Sequence, residues 1–418
     1  MATTTPSTTR TSVLERFLRY VRIDTQSALQ SETTPSTLKQ LVLLDLLAEE
    51  LRAIGLTDAV RGAFGHVFAT IPATTKKRVP VIGFVAHVDT SPDADGAGVK
   101  PIVHRGYDGR DIVLPDDPSM VLRESDIPAL ARQRGNDIVT ASGTTLLGAD
   151  DKAGVAEIMA AAEWLVQHPE IPHGPIRIAF TPDEEVGGGV THFDVAAFGA
   201  FCAYTVDGEE RGEVDTETFC GDSMNVTFQG FGTHPGFAKG RLINSIKIAA
   251  DFITRLPKQR SPETTEGREG YLHPVGIDAE IDHTTVRFIL RDFEERGLRD
   301  SEALIERTAR DTVAAWPGAS MSCKVTEGYR NFKTVLDAHP EIVANACEAI
   351  RRAGMEPVQA AIRGGTDGSR LSFMGLPTPN LFTGGHNYHS RHEWVSVQDM
   401  EKAVEVIVLL CQVWEERA

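Results

Sequence analysis

The sequence predicts an α/β protein whose main domain is a mixed sheet flanked by helices, interrupted by an inserted ferredoxin-like α+β domain. Three observations predict it. Short apolar runs recur between helical patterns, as in Val79–Val88, Ile176–Phe180 and the run C-A-Y-T-V-D that ends at Asp207. From Glu213 to Thr326 the order changes to strand (Ser223–Gln229), helix (Leu242–Leu256), two strands (Tyr271–Val275, Thr284–Arg291), helix (Asp300–Ala315) and strand (Met321–Thr326), which is the split β-α-β-β-α-β unit. Helical and strand-like stretches of the first kind then resume to the C-terminus, so residues 1–212 and 327–418 read as one domain and 213–326 as another.

Each element has a local reason. Val13, Leu14, Phe17, Leu18 and Val21 repeat at helical spacing, and Leu38–Ile54 is a second amphipathic helix opened by Ser36 or Thr37 and closed by Gly55. Val67–Ile71 reads as a strand. Residues 91–140, rich in Asp, Pro and Gly, read as a long excursion with short strands. An apolar stretch then turns through Gly148 into a helix carrying Val155, Ile158, Met159, Ala162, Leu165 and Val166, which leaves Asp150 and Asp151 at a strand-to-helix turn. One of the two can cap the helix, and the other is then free. Further helices are expected near Pro340–Arg352 and over the final Met400–Cys411 pattern. The first ten residues lack the basic and apolar regions of a signal peptide and read as a frayed tail.

Composition narrows the function. The chain has 418 residues, 41% apolar and 24% charged, with a formal net charge of −17. That balance argues against a nucleic-acid partner and an anionic membrane surface, and no apolar run approaches the ~18 residues that span a bilayer. The five cysteines are scattered without a C-x-x-C pair, so neither a disulfide framework nor a thiolate zinc site is indicated and a cytoplasmic location is the simplest expectation.

The chemistry sits where the apolar runs end. After Ile176–Phe180, Thr181-Pro182 stops the strand, and Asp183, Glu184 and Glu185 follow with Gly187–Gly189 behind them. In open α/β sheets that carboxyl edge is where ligands bind. Adjacent glutamates project differently, so one can hold a cation while the other takes a proton, the division that metal-assisted hydrolysis needs. His87 and Asp89 close another strand two residues apart, Asp207 closes a third, and the run G-H-N-Y-H-S-R-H supplies His386, His389 and His392. An HExxH helix, a Walker A loop and a G-x-S-x-G elbow are absent. A dinuclear metal site accounts for the set with the fewest assumptions.

The segments A-H-V-D-T, G-A-D-D-K-A-G, T-P-D-E-E-V-G, Y-T-V-D-G, G-T-H-P-G-F-A-K-G, R-G-G-T-D-G and N-Y-H-S-R-H-E resemble those of the M20 dizinc peptidases, in their tripeptide aminopeptidase branch. The resemblance implies two Zn2+ per subunit, replaceable by Co2+ or Mn2+, with His87 and Asp207 on one ion, Glu185 and His389 on the other, and Asp150 bridging them. It implies that Asp89 orients His87, that a cis peptide bond follows Asp150, and that Glu184 is the general base. It further implies a homodimer through the inserted lid domain, His234 acting on the partner subunit's substrate, and Arg291 and Arg363 clamping the peptide's C-terminal carboxylate. His386 stands where relatives carry tyrosine, which leaves it as an alternative ligand, and Glu209-Glu210 stand where a glycine-richer turn is usual. The implied activity is removal of the N-terminal residue from tripeptides. A dipeptidase or an N-acyl-amino-acid hydrolase with the same site is the alternative, and a catalytically silent scaffold is disfavoured by the presence of Glu184.

Overall fold

The computed structural model describes residues 12–418, so the N-terminal tail expected to fray lies outside the described residues. Two compact units result: residues up to Thr216 with Thr334–Ala360 and Thr366–Ala418, and Glu217–Lys333 with Ala361–Gly365.

The first unit is built on an eight-stranded mixed sheet in the order Val60–Arg61, Val67–Ile71, Ile176–Thr181, Ile82–His87, Cys202–Gly208, Asn380–Phe382, Glu213–Thr218, Val358–Ile362. Four neighbours run parallel: Ile176–Thr181, Ile82–His87, Cys202–Gly208 and Asn380–Phe382. Parallel strands covered on both faces read as continuous apolar runs, and every residue of Ile82–His87 is buried. Val67–Ile71 pairs antiparallel near one edge and alternates buried with half-buried.

Helix Ala149–Gln167 packs on Ile82–His87 and Cys202–Gly208, and Val397–Glu416 packs on it and on Pro340–Arg352. Val13–Tyr20 opens with the capping box of Ser12 and Glu15, as its sequence allows. The second helix is Gln40–Ala53, two residues shorter at its start than expected, because Ser36 and Gln40 are turned toward Asp183. The 91–140 excursion carries the expected short strands, with Ile138–Thr140 pairing to Trp394–Ser396 and Ile102–His104.

The second unit is an antiparallel sheet in the order Tyr271–Ala279, His283–Asp292, Cys220–Gln229, Ser320–Tyr329, the order of a ferredoxin-like fold. Met224, Val226 and Phe228 point into its core at period two, against Ile248 and Phe252 of Ser245–Arg255 and Leu298 and Ile305 of Glu295–Ala314. Its bounds differ from the 213–326 expected. Val214 and Asp215 pair with Leu381 and Asn380, which keeps that strand in the main sheet, while Ser320–Tyr329 runs past Thr326 and Arg330 binds Asp222. The Ala361–Gly365 piece, with Arg363, groups with this unit as well.

One close approach fixes a helix against a strand. A Cβ on Gly154 would lie 1.8 Å from the carbonyl oxygen of Val206, the residue before Asp207. Backbone cannot give way as a flexible side chain can, so Gly154→Ala should cost about 1–3 kcal/mol or more. Urea unfolding measures it, and wild-type stability in the variant would show that the helix can back away freely.

Candidate metal centre

The parallel strands bring sequence-distant groups to one edge. His87 ends its strand opposite Thr181, and the turn after Thr181 carries Glu184 and Glu185. Asp207 stands on the strand to the other side of Ile82–His87, and Asn380–Phe382 runs on to His389. Asp150 arrives from outside the sheet. Gly148, at φ +81°, makes the left-handed turn that a side chain resists, and the Asp150–Asp151 peptide is cis.

The expected ligands meet. His87 Nε2 is 2.9 Å from Asp150 Oδ1 and 3.7 Å from Asp207 Oδ1. His389 Nε2 is 3.2 Å from Asp150 Oδ2 and 2.8 Å from Glu185 Oε2. Asp150 thus has one oxygen toward each histidine. Ligand atoms of His87, Asp150 and Glu185 lie within 4.8 Å of one another, as do those of His87, Asp151 and Asp207. Asp151 is otherwise employed: its Oδ1 accepts from Gly154 N at 3.1 Å, and its Oδ2 from His87 N at 3.2 Å. The second aspartate is the cap, and the first is the free one.

The electrostatics are those of crowded carboxylates. Burial, then Asp150, pushes Asp207 up to about 7, and the same two causes push Glu185 to about 8 against the hydrogen bond from His389. Burial also pushes Glu184 well above the carboxylate range, with Asp367, Asp207 and Glu185 adding repulsion and His87 opposing it. Burial alone would lower both histidines; Asp150, with Asp207 and Asp89, raises His87 well above its ordinary value, and Asp150 with Glu185 raises His389 to about 12. Glu185 Oε1 is buried with no hydrogen-bond partner. Imidazole nitrogens and carboxylate oxygens in this density, with an acceptor left over, fit divalent cations.

Backbone hydrogen bonds hold the donors in place. His87 Nδ1 is 3.0 Å from the carbonyl of Asp89 and 3.4 Å from its carboxylate. That carboxylate also accepts from the backbone of Glu184 (2.9 Å) and Glu185 (3.2 Å), a task the sequence reading had not given it. Asp183, at φ +57°, is buried and gripped by Ser36 N at 2.6 Å, Ser36 Oγ and Gln40 Nε2 at 2.6 Å, while its own N–H donates to Gln40 Oε1. Asn380 Oδ1 accepts from Asp207 N, and its Nδ2 donates to the buried Asp215. Asp89 beside His87 is among the expectations; its hold on the Glu184–Glu185 turn and the roles of Ser36, Gln40 and Asn380 are not. Of the rest, only Asp183, first of three consecutive carboxylates, carried a signal.

Three expected groups lie in the second unit. His234 is exposed and caps the Pro235–Phe237 turn, Nδ1 accepting from Gly236 N. Arg291 donates to the Leu290 carbonyl and sits over the Tyr329 ring. Arg363 is engaged by its own unit: it donates to the carbonyls of Gly267 and Glu269 and to Thr265, and lies 5.2 Å from the Phe219 ring. His386 is buried and stacked on Trp394 at 4.3 Å.

This sheet edge and this donor set define the class, and the chain belongs to peptidase family M20/M25/M40, which it matches over residues 142–412. Within the family it groups with the peptidases T. It is 47% identical over 406 residues to peptidase T of Geobacillus kaustophilus (strain HTA426), covering 97% of this chain and 99% of the relative. The fold is shared with aminopeptidase PepT from Bacillus cereus ATCC 10987 (TM-score 0.73, 23% identity, 96% of this chain and 98% of that one). It is also shared with Bacillus subtilis YxeP, a dinuclear metal-binding M20 peptidase (TM-score 0.65, 15% identity, 97% and 98%). The chain is therefore an enzyme, a peptidase.

Asp89→Asn tests the turn-holding role. The amide presents donors where two backbone N–H groups need acceptors, so the metal-free protein should lose about 1–3 kcal/mol in urea unfolding. A loss within about 0.5 kcal/mol, the size of an ordinary surface change, would mean that the Asp89 carboxylate does not hold the Glu184–Glu185 turn.

Proposed function

We infer that the chain is a metal-dependent aminopeptidase that removes the N-terminal residue from tripeptides. The observation that carries the reading is the convergence of His87, Asp150, Glu185, Asp207 and His389 on one sheet edge with Glu184 beside them. His87 and Asp207 would hold one ion, Glu185 and His389 the other, and Asp150, with an oxygen toward each histidine, would bridge. YxeP, which binds two metals on the same fold, supports the count. Zinc suits the donors, and cobalt or manganese can replace it. Two such ions, when bound, lower the pKa of water toward neutrality and polarise the scissile carbonyl.

The chain's own groups do the rest. Glu184, fixed through its backbone by Asp89 and free of a ligand role, takes the proton of the attacking water on its carboxylate and returns it to the departing amine. Asp89 holds the tautomer of His87. The inserted unit serves as a dimerisation lid, His234 meets the substrate carbonyl of the partner subunit's site, and Arg291 and Arg363 receive the peptide's C-terminal carboxylate. For Arg363 that role requires release from the Thr265–Glu269 carbonyls it now holds. Five unpaired cysteines are consistent with a cytoplasmic location. Among the described residues no helix is long and apolar enough to cross a membrane.

Three measurements test the reading. Chelation should abolish activity and zinc, cobalt or manganese restore it, and Glu184→Gln should lower kcat ~10²–10⁴-fold while keeping two ions per chain. If Glu184→Gln loses metal and Glu185→Gln keeps it, the two roles are exchanged. For substrate length, kcat/KM should be highest for a free tripeptide, with the dipeptide, tetrapeptide and tripeptide amide about one to two powers of ten lower through the lost charge-assisted hydrogen bonds. Equal rates for acid and amide would remove the arginine clamp, and preference for an N-blocked substrate would move the chain to the acylase reading.

A further inference from the structure

Glu393 stands four residues beyond His389 and is 1% exposed. Its Oε2 accepts the backbone N–H groups of Leu147 and Gly148, each at 2.7 Å, and its Oε1 accepts that of Asp150 at 3.0 Å. Its own N–H donates to the carbonyl of Ser390, closing the turn that follows His389. A single carboxylate on the His389 segment therefore gathers three donors of the turn that delivers Asp150. The two side chains thus tied together are themselves in contact, His389 Nε2 lying 3.2 Å from Asp150 Oδ2.

Three backbone N–H groups shared between the two oxygens of Glu393 need acceptors on both, which a carboxylate supplies and a carboxamide does not. Lys152, 1% exposed and donating to the Ile23 carbonyl, has Asp24, Glu393 and Asp89 among its neighbouring charges. Gly148 must also turn left-handed for its N–H to reach Glu393 together with that of Leu147, so the glycine and the glutamate serve the same turn.

We propose that Glu393 is a positioning residue that fixes Asp150 and His389 relative to each other and thereby sets the affinity of the ion they share. The proposal rests on the ligand set inferred above. Glu393 touches no substrate; it acts through the backbone of one ligand's turn and the chain of the other. In Glu393→Gln the carboxamide brings a donor against at least one of three backbone donors, so the turn must shift or lose a bond.

The test is competition titration with zinc of the metal-free wild type and of Glu393→Gln and Glu393→Asp. The wild type should bind two ions. Both variants should hold the ion of the Glu185–His389 site 10–100-fold less tightly, as supporting groups of metal ligands typically do, with a smaller loss at the His87–Asp207 site, which depends on Asp150 but not on His389. At saturating zinc, kcat should recover while KM stays at the wild-type value. A merely structural role would lower the metal-free melting temperature and leave both zinc affinities alone, and that result overturns the proposal. A wild type that binds no ion overturns the ligand set and this inference with it, whereas two ions bound equally by wild type and variants overturns only the role of Glu393. Should the variants not fold, amide hydrogen exchange of the metal-free wild type decides: slow exchange at Leu147, Gly148 and Asp150 supports the anchor, and exchange at the rate of an open loop refutes it.

Discussion

Like charge held close is the constraint on which the first unit depends. Asp150, Glu184, Glu185 and Asp207 are brought to one edge by elements that have no other reason to meet, and burial with mutual repulsion raises three of the four well above ordinary carboxylates. Such a cluster loosens unless something stronger holds each member. The parallel strands supply the first restraint. Their registry sets His87 beside Thr181, and the strand carrying Asp207 adjoins the His87 strand on its other side, so the positions of two donors follow from ladder hydrogen bonds in a buried sheet.

The second restraint is a set of buried carboxylates spent on backbone. Asp89 takes the N–H groups of Glu184 and Glu185, Asp151 those of His87 and Gly154, and Glu393 those of Leu147, Gly148 and Asp150. The main chains of Asp150, Glu184 and Glu185 are fixed in this way by acids turned onto backbone, and that of Asp207 by the Asn380 amide. Charge-assisted bonds to N–H groups are about twice as strong as neutral ones, and removing one leaves a buried donor unpaired. Loop residues are held here with the rigidity that strands usually provide.

Much of this was legible in the sequence, and the boundary of legibility has a physical cause. The strand ends, the Gly148 turn and the ferredoxin-like order show themselves because periodicity and punctuation are local; they mark where candidate ligands stand, while the choice of Asp150, Glu185 and His389 among their neighbours came from the family resemblance. The supports were hidden because they act over distance on backbone atoms. Glu393 binds a turn some 245 residues earlier, Gln40 reaches Asp183, and Asn380 reaches Asp207. An acceptor for backbone N–H leaves no pattern of residue types, since the donor can belong to any residue. The limits of the inserted unit were hidden for a similar reason: Val214 and Asp215 read as the start of a new composition, but Leu381 and Asn380 claim them for the main sheet.

The same distinction explains why two adjacent aspartates, or two adjacent glutamates, are not interchangeable here. Asp150 and Asp151 differ by one residue, yet Asp151 spends both oxygens on N–H groups while Asp150 presents both oxygens to histidines. Glu185 reaches His389, whereas Glu184 is set among the charges of His87, Asp367 and Asp207. In each pair a turn with unusual backbone, left-handed at Gly148 and at Asp183, aims successive side chains in different directions. Chemistry that needs one carboxylate to bind and its neighbour to move a proton is thus assigned by backbone dihedrals, and those dihedrals are kept by acids that never meet the substrate.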